Sequence, residues 1–207
     1  MQKQHAYKRR RRKHRRRQRG RFIRAVILVV LVLALIGIVM MLTQEETTEQ
    51  TMPVYPMEYS DLIRENARRF DLDPAYIAAI IRAESFFDPM AVSNVNAQGL
   101  MQIMPDTGKW IAPKLDETYV DGCLFDAATN IRYGCWYLKF LTDRYNGDKT
   151  CSTAAYHSGQ GTVDKWLKNP EYSSDGRTLD VIAGSNAQTY VSRVLDNYEK
   201  YVELYNE

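Results

Sequence analysis

The sequence has few of the residues that usually bind transition metals. It contains 3 cysteines and 3 histidines among 207 residues, and no two cysteines are separated by only two positions. His5 and His14 lie near the amino terminus and His157 is isolated, so the spacing produces no cluster of ligands. The sequence therefore predicts neither a metal site nor another cofactor.

Acidic residues are absent from the first 42 positions, which hold 13 of the 28 Lys and Arg residues. The remaining positions carry 15 basic and 25 acidic residues, a net charge of −10. The formal charge of +3 for the whole chain therefore combines a strongly basic tail with an acidic domain.

Polar residues are missing from residues 25–42, a run of 18 apolar residues. At a rise of about 1.5 Å per residue, this run comes close to the ~30 Å of a bilayer's hydrocarbon core. A cleaved signal peptide is the alternative, but it usually has a shorter apolar region and small residues at its cleavage site. The run ends in Met40, Met41 and Leu42 instead. We expect residues 25–42 to form a retained transmembrane helix.

The basic residues beside this span predict its orientation. Lys and Arg next to a transmembrane helix hold that end in the cytoplasm and attract anionic lipids. Nucleic-acid binding is the alternative for the tail, but its position directly before the span argues against it. We therefore expect a cytoplasmic tail at residues 1–24 and a polar linker at residues 43–56. Residues 57–207 would then form a domain outside the cytoplasmic membrane.

All three cysteines lie in this exported domain, where a disulfide bond is permitted. An odd number leaves at least one thiol free, or none paired at all. Pairs between Cys123 and Cys135 and between Cys135 and Cys151 are both possible, and the sequence does not choose between them.

Residues 57–207 have the patterns of a mainly helical domain. Apolar residues recur every three or four positions, with capping residues before them and turn residues after them. No run of alternating strand residues is convincing, although residues 114–120 and 173–180 could hold short strands or loops. Three helices are predicted to begin at Ser60, at Pro74 and at Pro105, with Asp73 as the cap of the second. Four more are predicted to cover residues 127–145, 152–158, 162–167 and 188–205, with Thr162 as the cap of the third of these.

Glu84 is the most informative residue of this domain. Ile77, Ile80 and Ile81 lie seven, four and three positions before it and share its helix face. A carboxylate on an apolar face is costly, and burial raises its pKa. A carboxylic acid that stays protonated near neutral pH is suited to general-acid catalysis. The simpler interpretation is a glutamate at a helix end, half solvated or paired with Arg82 or a more distant arginine.

Three segments favour the catalytic interpretation when they are considered together. Each alone has a simpler explanation, such as glycines in turns, methionines in the core or a packed tyrosine. The segments are residues 83–89 (AESFFDP), 93–105 (SNVNAQGLMQIMP) and 154–161 (AAYHSGQG). In this order they resemble lytic transglycosylases of the soluble-lytic-transglycosylase (SLT) type, which belong to the lysozyme-like superfamily.

The resemblance covers roughly residues 57–205. The Glu84-Ser85 pair followed by Gly-Leu-Met-Gln-Ile-Met-Pro is its most specific part. Supporting elements recur at Asn130-Ile131 with Gly134 and Tyr137-Leu138, and at Tyr190-Val191 with Arg193-Val194-Leu195.

The resemblance implies that Glu84 is the single catalytic acid and base. It would first protonate the glycosidic oxygen between N-acetylmuramic acid and N-acetylglucosamine. It would then deprotonate the 6-hydroxyl of the muramoyl sugar, which closes a 1,6-anhydro ring. Tyr156 and Tyr190 would surround Glu84 and fix its orientation.

Three more residues would contact the substrate in this scheme. Gln102 would hydrogen-bond the sugar near the cleavage point, and Met101 would contribute an apolar wall. Ser93 would help to hold the substrate or the loop.

A single carboxylate is chemically sufficient for this reaction. Ordinary glycosidases use two, about 5–5.5 Å apart for retention or about 6.5–9.5 Å apart for inversion. Asp88 is followed by a proline and Asp106 lies at a predicted helix start, so neither is a good candidate for the second. The acetamido group of the substrate can stabilise the developing cation, and the intramolecular hydroxyl competes with water through its high effective concentration.

Two residues depart from the family pattern. His157 stands where an asparagine usually follows Ala-Tyr, and it is counted here among the substrate-binding residues. A histidine can donate one hydrogen bond and titrates near neutral pH, so it could change the pH dependence or the substrate preference, unless it is a tolerated replacement. Asn96 stands where glycine is common, which predicts a left-handed backbone that asparagine tolerates.

These observations combine into one prediction: a mainly α (α+β lysozyme-like) single globular helical domain after an N-terminal transmembrane helix. It would be a membrane-anchored lytic transglycosylase that acts on peptidoglycan glycan strands, with no nucleic-acid partner. A lysozyme-type muramidase and a non-catalytic peptidoglycan-binding scaffold are the alternatives. Because peptidoglycan and the domain are both acidic, hydrogen bonds and aromatic stacking would have to provide recognition.

Overall fold

A buried helix that carries Glu84 near its end lies in the core of the fold. The computed structural model describes residues 55–205 and the single residue Leu35. The chain divides into two units at Tyr55, and all the elements below belong to the second unit. The predicted tail, span and linker therefore lie outside the described residues, apart from Leu35 and the last two linker positions. In the part that is described, no helix is both long enough and apolar enough to cross a bilayer.

Helices provide the regular structure of residues 55–205, as predicted. The α-helices are α1 (Ser60–Phe70), α2 (Pro74–Ser85), α3 (Pro105–Ile111), α4 (Ala127–Arg144), α5 (Lys149–Ser158), α6 (Gln160–Leu167) and α7 (Ser185–Tyr205), with short 3-10 helices at Ala112–Leu115 and Cys123–Phe125.

The β component is small. Two isolated bridges, Val92 to Gln98 and Gln98 to Ile103, occur in the loop between α2 and α3. Residues 114–120 continue from a 3-10 helix into a turn, and residues 173–180 form a loop. No strand is present in either of these two segments. Within residues 173–180 the Asp175 side chain binds the backbone locally, as when Thr178 N donates to Asp175 Oδ1 at 2.8 Å.

Local capping chemistry explains where several helices begin. The Asp73 carboxylate accepts a hydrogen bond from Ala75 N at 2.9 Å, which confirms the predicted cap of α2. Asp148 caps α5 in the same way through Cys151 N, so α5 begins three residues earlier than predicted. The predicted cap at Thr162 is wrong. Gly159 is the N-cap residue, and its φ of 81° allows α6 to begin directly after α5.

The helix α2 is buried on more than one face. Every residue from Ala75 to Ile81 is buried, including Ile77, Ile80 and Ile81 at 0% exposure. The prediction of one apolar face was therefore too narrow, since a helix that is apolar all round is a core helix. α2 packs along α7, where Val191 and Val194 are also buried. This pairing brings the end of α2 next to the side chains of α7.

The cysteines are not bonded to one another. Cys123, Cys135 and Cys151 are all free thiols, and the last two are buried. Neither of the two pairings that the sequence permits is formed.

Candidate active site

The Glu84 side chain is held by a tyrosine from the other end of the domain. Glu84 lies in the last turn of α2, and Tyr190 lies in the first half of α7, 106 residues later. The Tyr190 hydroxyl donates to Glu84 Oε1 at 2.5 Å. Phe86 and Phe87 follow in left-handed conformations, with φ of 54° and 67°, and end the helix directly after the carboxylate. Such backbone outliers cluster at functional sites.

Burial controls the protonation of this pair. Desolvation raises the pKa of Glu84 from 4.5 to about 7, while the hydrogen bond from Tyr190 and the charge of Arg193 act in the opposite direction. Burial and the Glu84 charge raise the pKa of Tyr190 well above its usual range, so the phenol keeps its proton and is the donor. Glu84 is therefore half protonated near neutral pH.

Arg82 does not act as the partner of Glu84. Its guanidinium lies over the ring of Tyr55 at 4.2 Å and over the ring of Phe86 at 4.8 Å. Within residues 55–205 Glu84 forms no ion pair. The simpler interpretation, a salt-bridged glutamate at a helix end, is therefore not what the structure contains.

His157 lies on the solvent side of Tyr190. Its imidazole stacks on the Tyr190 ring, with centroids 4.4 Å apart and planes at 17°. His157 is exposed, whereas Tyr190 is 3% exposed. Burial, and then the charge of Arg193, lowers the pKa of His157. Glu84, Tyr190 and His157 thus form a contact series from the core to the surface, which we call the acid chain.

Tyr156 joins this region to the loop after α2. Its hydroxyl donates to Met101 O at 2.8 Å, and its ring contacts that of Tyr137 at 5.5 Å. Met101 is 0% exposed, and a Cβ at Gly134 would overlap its sulfur atom. The Met101 side chain therefore belongs to the core and offers no surface to a ligand, although its carbonyl oxygen positions Tyr156.

Gln102 and Ser93 use their side chains within the same loop. Gln102 has a left-handed φ of 49°, and its Nε2 donates to Ala91 O at 3.1 Å and to Gly99 O at 3.0 Å. Ser93 Oγ accepts from Ala97 N at 3.0 Å. Asn96, between them, has a φ of 67°, which confirms the predicted left-handed position.

Asn130 fastens this loop to α4. Its Oδ1 accepts from Met101 N at 2.7 Å, and its Nδ2 donates to Gln98 O at 2.8 Å and to Leu124 O at 2.7 Å. Asn130 is 0% exposed, so these bonds satisfy backbone groups that water cannot reach.

Ser85 fastens the loop to α2, because its hydroxyl donates to Leu100 O at 2.8 Å. The pinned loop of residues 98–102, with Asn130 and Ser85, is called the loop clamp below. Gly99 has a φ of 73°, and a Cβ there would overlap both Leu124 O and the Asn130 amide. The loop can therefore approach α4 this closely only with glycine at position 99.

The other carboxylates near the motif have different tasks. Asp88 Oδ1 accepts from Met90 N at 2.8 Å and closes the turn after α2. Asp106 is exposed and pairs with Lys109 at 3.7 Å. Across the described part of the chain, no group of three His, Cys, Asp or Glu side chains is arranged to hold a metal ion.

A groove of about 650 Å³ runs beside α7, and its lining includes Arg193, which contacts the Tyr190 ring of the acid chain. Tyr55, Arg193 and polar side chains of α7 between Ser185 and Asn197 line this groove, and Glu84 does not. Arg193 thus lines the groove and also lowers the pKa of Glu84 through its charge.

The roles of Asn130 and Arg193 were missed from the sequence, although both belong to the supporting motifs. A signal for Asn130 is its place beside Ile131 in the first turn of a helix with buried residues. A signal for Arg193 is its position three residues after Tyr190, which places both on one helix face. The Arg193 guanidinium lies 5.7 Å from the Tyr190 ring centroid.

Comparisons with known proteins find a matching family model and several relatives. The family model described as "Transglycosylase SLT domain" matches residues 61–177. The soluble lytic murein transglycosylase of Escherichia coli (strain K12) is 34% identical over 152 residues, which cover 71% of this chain and 24% of the relative. Membrane-bound lytic murein transglycosylase C of Actinobacillus pleuropneumoniae is 31% identical over 173 residues, covering 71% of this chain and 46% of the relative.

Solved structures show the same similarity. The 70 kDa soluble lytic transglycosylase of Escherichia coli superposes with a TM-score of 0.65 at 30% identity, covering 72% of this chain and 25% of that one. An inactive mutant of lytic transglycosylase Slt from Pseudomonas aeruginosa gives a TM-score of 0.65 at 29% identity, covering 73% and 25%. The chain spans less than half of the length of these relatives.

Proposed function

This chain belongs to the SLT transglycosylase family, and on that premise we propose that it is a lytic transglycosylase of peptidoglycan. It cleaves the β-1,4 bond between N-acetylmuramic acid and N-acetylglucosamine and leaves a 1,6-anhydro end. The observation that carries this proposal is the Glu84 carboxyl, which burial keeps half protonated near pH 7 and Tyr190 holds in place.

Glu84 first acts as the general acid. Tyr190 occupies Oε1, so Oε2 is the oxygen that carries the proton to the glycosidic oxygen. A general acid is most efficient when its pKa lies near the working pH, and the pKa of Glu84 is about 7. The Tyr190 hydrogen bond stabilises the carboxylate that proton transfer leaves behind.

Glu84 then acts as the general base in the second step. Its carboxylate removes the proton of the muramoyl 6-hydroxyl, whose oxygen attacks the anomeric carbon and closes the anhydro ring. Asp88 closes a turn and Asp106 pairs with Lys109, so neither carboxylate competes as a nucleophile. The acetamido group of the sugar stabilises the intermediate cation instead, and the internal hydroxyl outcompetes water.

The loop clamp holds the sugar through Gln102. Both amide hydrogens of Gln102 bond inside the loop, so its amide oxygen accepts from a sugar hydroxyl. Ser93 keeps the loop in shape, Met101 supports it from the core, and Tyr156 forms the wall beside Glu84. His157 reaches the cleft at the surface end of the acid chain.

The domain works outside the cytoplasmic membrane, with residues 25–42 as its single-pass anchor. The apolar run and the basic residues before it support this placement. The similarity to a membrane-bound lytic murein transglycosylase agrees with it. In membrane vesicles of known sidedness, the chain should resist carbonate extraction, and a protease added on the outer face should digest residues 57–207.

Product analysis tests the reaction. The full chain in detergent micelles should convert purified peptidoglycan into fragments with 1,6-anhydro-muramoyl ends, which are lighter than reducing ends by one water. Glu84→Gln should lower the rate by about 10³-fold, because a positioned general acid contributes that order of acceleration. Glu199→Gln on the exposed face of α7 is the matched control and should remain active.

Other products would support the alternatives. Reducing muramoyl ends would identify a lysozyme-type hydrolase. Binding of glycan without any cleavage by the unaltered chain would identify a scaffold, and full activity of Glu84→Gln would remove Glu84 from the mechanism.

A further inference from the structure

His157 forms the surface end of the acid chain, and its ring contacts Tyr190 and not Glu84. His157 lies in the last turn of α5, and its contact with the acid runs through Tyr190. The imidazole and phenol planes lie 17° apart with centroids separated by 4.4 Å, which is a stacked aromatic pair. His157 therefore covers the outer face of the residue that holds the carboxyl group.

Tyr190 can hold Glu84 only if its ring is fixed. Its hydroxyl reaches Glu84 Oε1 at 2.5 Å, so a small tilt of the ring lengthens a short, directional hydrogen bond. Arg193 lies 5.7 Å from the centroid of the same ring. One titratable group and one permanent cation therefore lie against this ring, in addition to the core that buries it.

We propose that His157 is a positioning residue that seats Tyr190 on Glu84 when its imidazole is neutral and releases Tyr190 when its imidazole is charged. The inference rests on the proposed function, because the acid in question is the general acid of glycan cleavage. It assigns the acidic limb of the pH–rate profile to His157, a group that does not touch the reacting atoms.

The electrostatics give the sign of this effect. A positive charge on His157 is repelled by Arg193, which lies against the same Tyr190 ring, so the charged imidazole loosens from the stack and Tyr190 loses its cover. Burial, and then the repulsion from Arg193, lowers the pKa of His157, so the imidazole is neutral at pH 7. The loss of activity therefore appears only as the pH falls below the usual range of histidine.

The remaining titratable groups around the stack do not replace His157 in this role. Tyr156 and Tyr76 act on Tyr190 but stay neutral, because burial raises the pKa of each. Asp164 of α6 is bonded to Arg144 and Tyr145 of the α4 end. Glu84 itself is the group that receives the effect.

Kinetics on a soluble glycan oligomer separate positioning from substrate contact. His157→Ala should lower kcat at pH 7 by about tenfold with KM within twofold, because a misplaced catalytic group costs rate. His157→Phe keeps an aromatic ring on Tyr190 without a charge. It should recover most of kcat and lose the acidic limb. A raised KM with unchanged kcat in His157→Ala, or an acidic limb that persists in His157→Phe, would overturn the proposal.

A spectroscopic readout is independent of turnover. In the full chain with ¹³C-labelled glutamate side chains, the Glu84 carboxyl resonance should show its own titration and a second inflection at the pKa of His157. The second inflection should be absent in His157→Phe, and Glu84→Gln identifies the resonance. If the unaltered chain does not cleave glycan, the proposed function fails. The spectrum would still show whether the protonation of His157 affects Glu84. A single inflection in the unaltered chain would show that His157 and Glu84 are not coupled.

Discussion

The acid chain and the loop clamp meet at one site but are built from different chemistry. Glu84, Tyr190 and His157 make a hydrogen bond and a ring stack between groups that can gain or lose protons. In the loop clamp, Asn130 and Ser85 bond to backbone groups that keep the same charge across the working pH range.

The two regions therefore respond to different changes. The acid chain responds to pH, and the loop clamp responds to added side-chain volume. The charge of the acid chain changes near neutral pH, since burial raises the pKa of Glu84 to about 7. The loop clamp does not respond to pH, but it has no spare space, since an added Cβ at Gly99 or Gly134 would overlap its neighbours. The site therefore keeps its titratable groups and its rigid backbone contacts in separate parts.

The largest expected effect is on the loop clamp. Asn130→Ala leaves Met101 N and Leu124 O without the Asn130 side chain and removes one of two bonds to Gln98 O, and each unsatisfied buried group costs about 1–3 kcal/mol. We expect a total loss of about 3–4 kcal/mol, the same at pH 5 and pH 8, measured as the fall in Tm by circular dichroism. Asn186→Ala on the exposed start of α7 is the control. A loss that varies with pH would contradict the separation.

A smaller effect of opposite sign is expected for the stability of Glu84→Gln. The pKa of Glu84 is raised from 4.5 to about 7 in the fold, so stability falls as the pH rises through that window. Glutamine carries no charge there, so the variant should be about 2–3 kcal/mol more stable than the parent at pH 8. At pH 4 the two should be equal. A constant difference at every pH would mean that Glu84 titrates normally.

Tyr190→Phe should change the pKa of Glu84 more than the stability of the fold. The phenol lowers the pKa of Glu84, so its loss raises that pKa and moves the alkaline limb of the pH–rate profile upward by about one unit. The rate at the optimum should also fall, because the carboxylate loses its support. Tyr198→Phe, which loses a hydrogen bond to Asp73 instead, is the control. A downward move of the limb would reverse the assigned role of Tyr190.

Ser85→Ala is expected to have the smallest effect. It removes the bond from Ser85 Oγ to Leu100 O and should cost about 1 kcal/mol at any pH. Thermal unfolding measures the loss, and a pH profile of activity that matches the parent completes the test. A shifted profile would show that the loop clamp and the acid chain are coupled through the end of α2.

Local patterns predicted the helices more successfully than their ends. The Asp73 cap and Pro74 were predicted because capping depends on residues two or three positions apart. The start of α6 was predicted wrongly because Gly159, with its positive φ, allows a helix that no side chain caps. The all-round burial of α2 depends on how α7 packs, which periodicity within α2 does not reveal.

The candidate site was predicted mostly through the family resemblance. Tyr190 lies 106 residues from Glu84 and Asn130 lies 29 residues from Met101, so no local pattern connects them. The resemblance implied that Met101 lines the substrate, whereas its side chain is buried behind Gly134. The stack of His157 on Tyr190 depends on the meeting of α5 and α7 and could not be derived from either helix alone.

The three free thiols affect the redox conditions under which this domain can fold. Cys123, Cys135 and Cys151 are unpaired, so no oxidant is needed to complete the fold. Burial raises the pKa of the Cys135 and Cys151 thiols, which keeps them protonated and slow to exchange with other sulfur compounds. The domain is therefore expected to reach and keep the same fold in reducing and in oxidising surroundings.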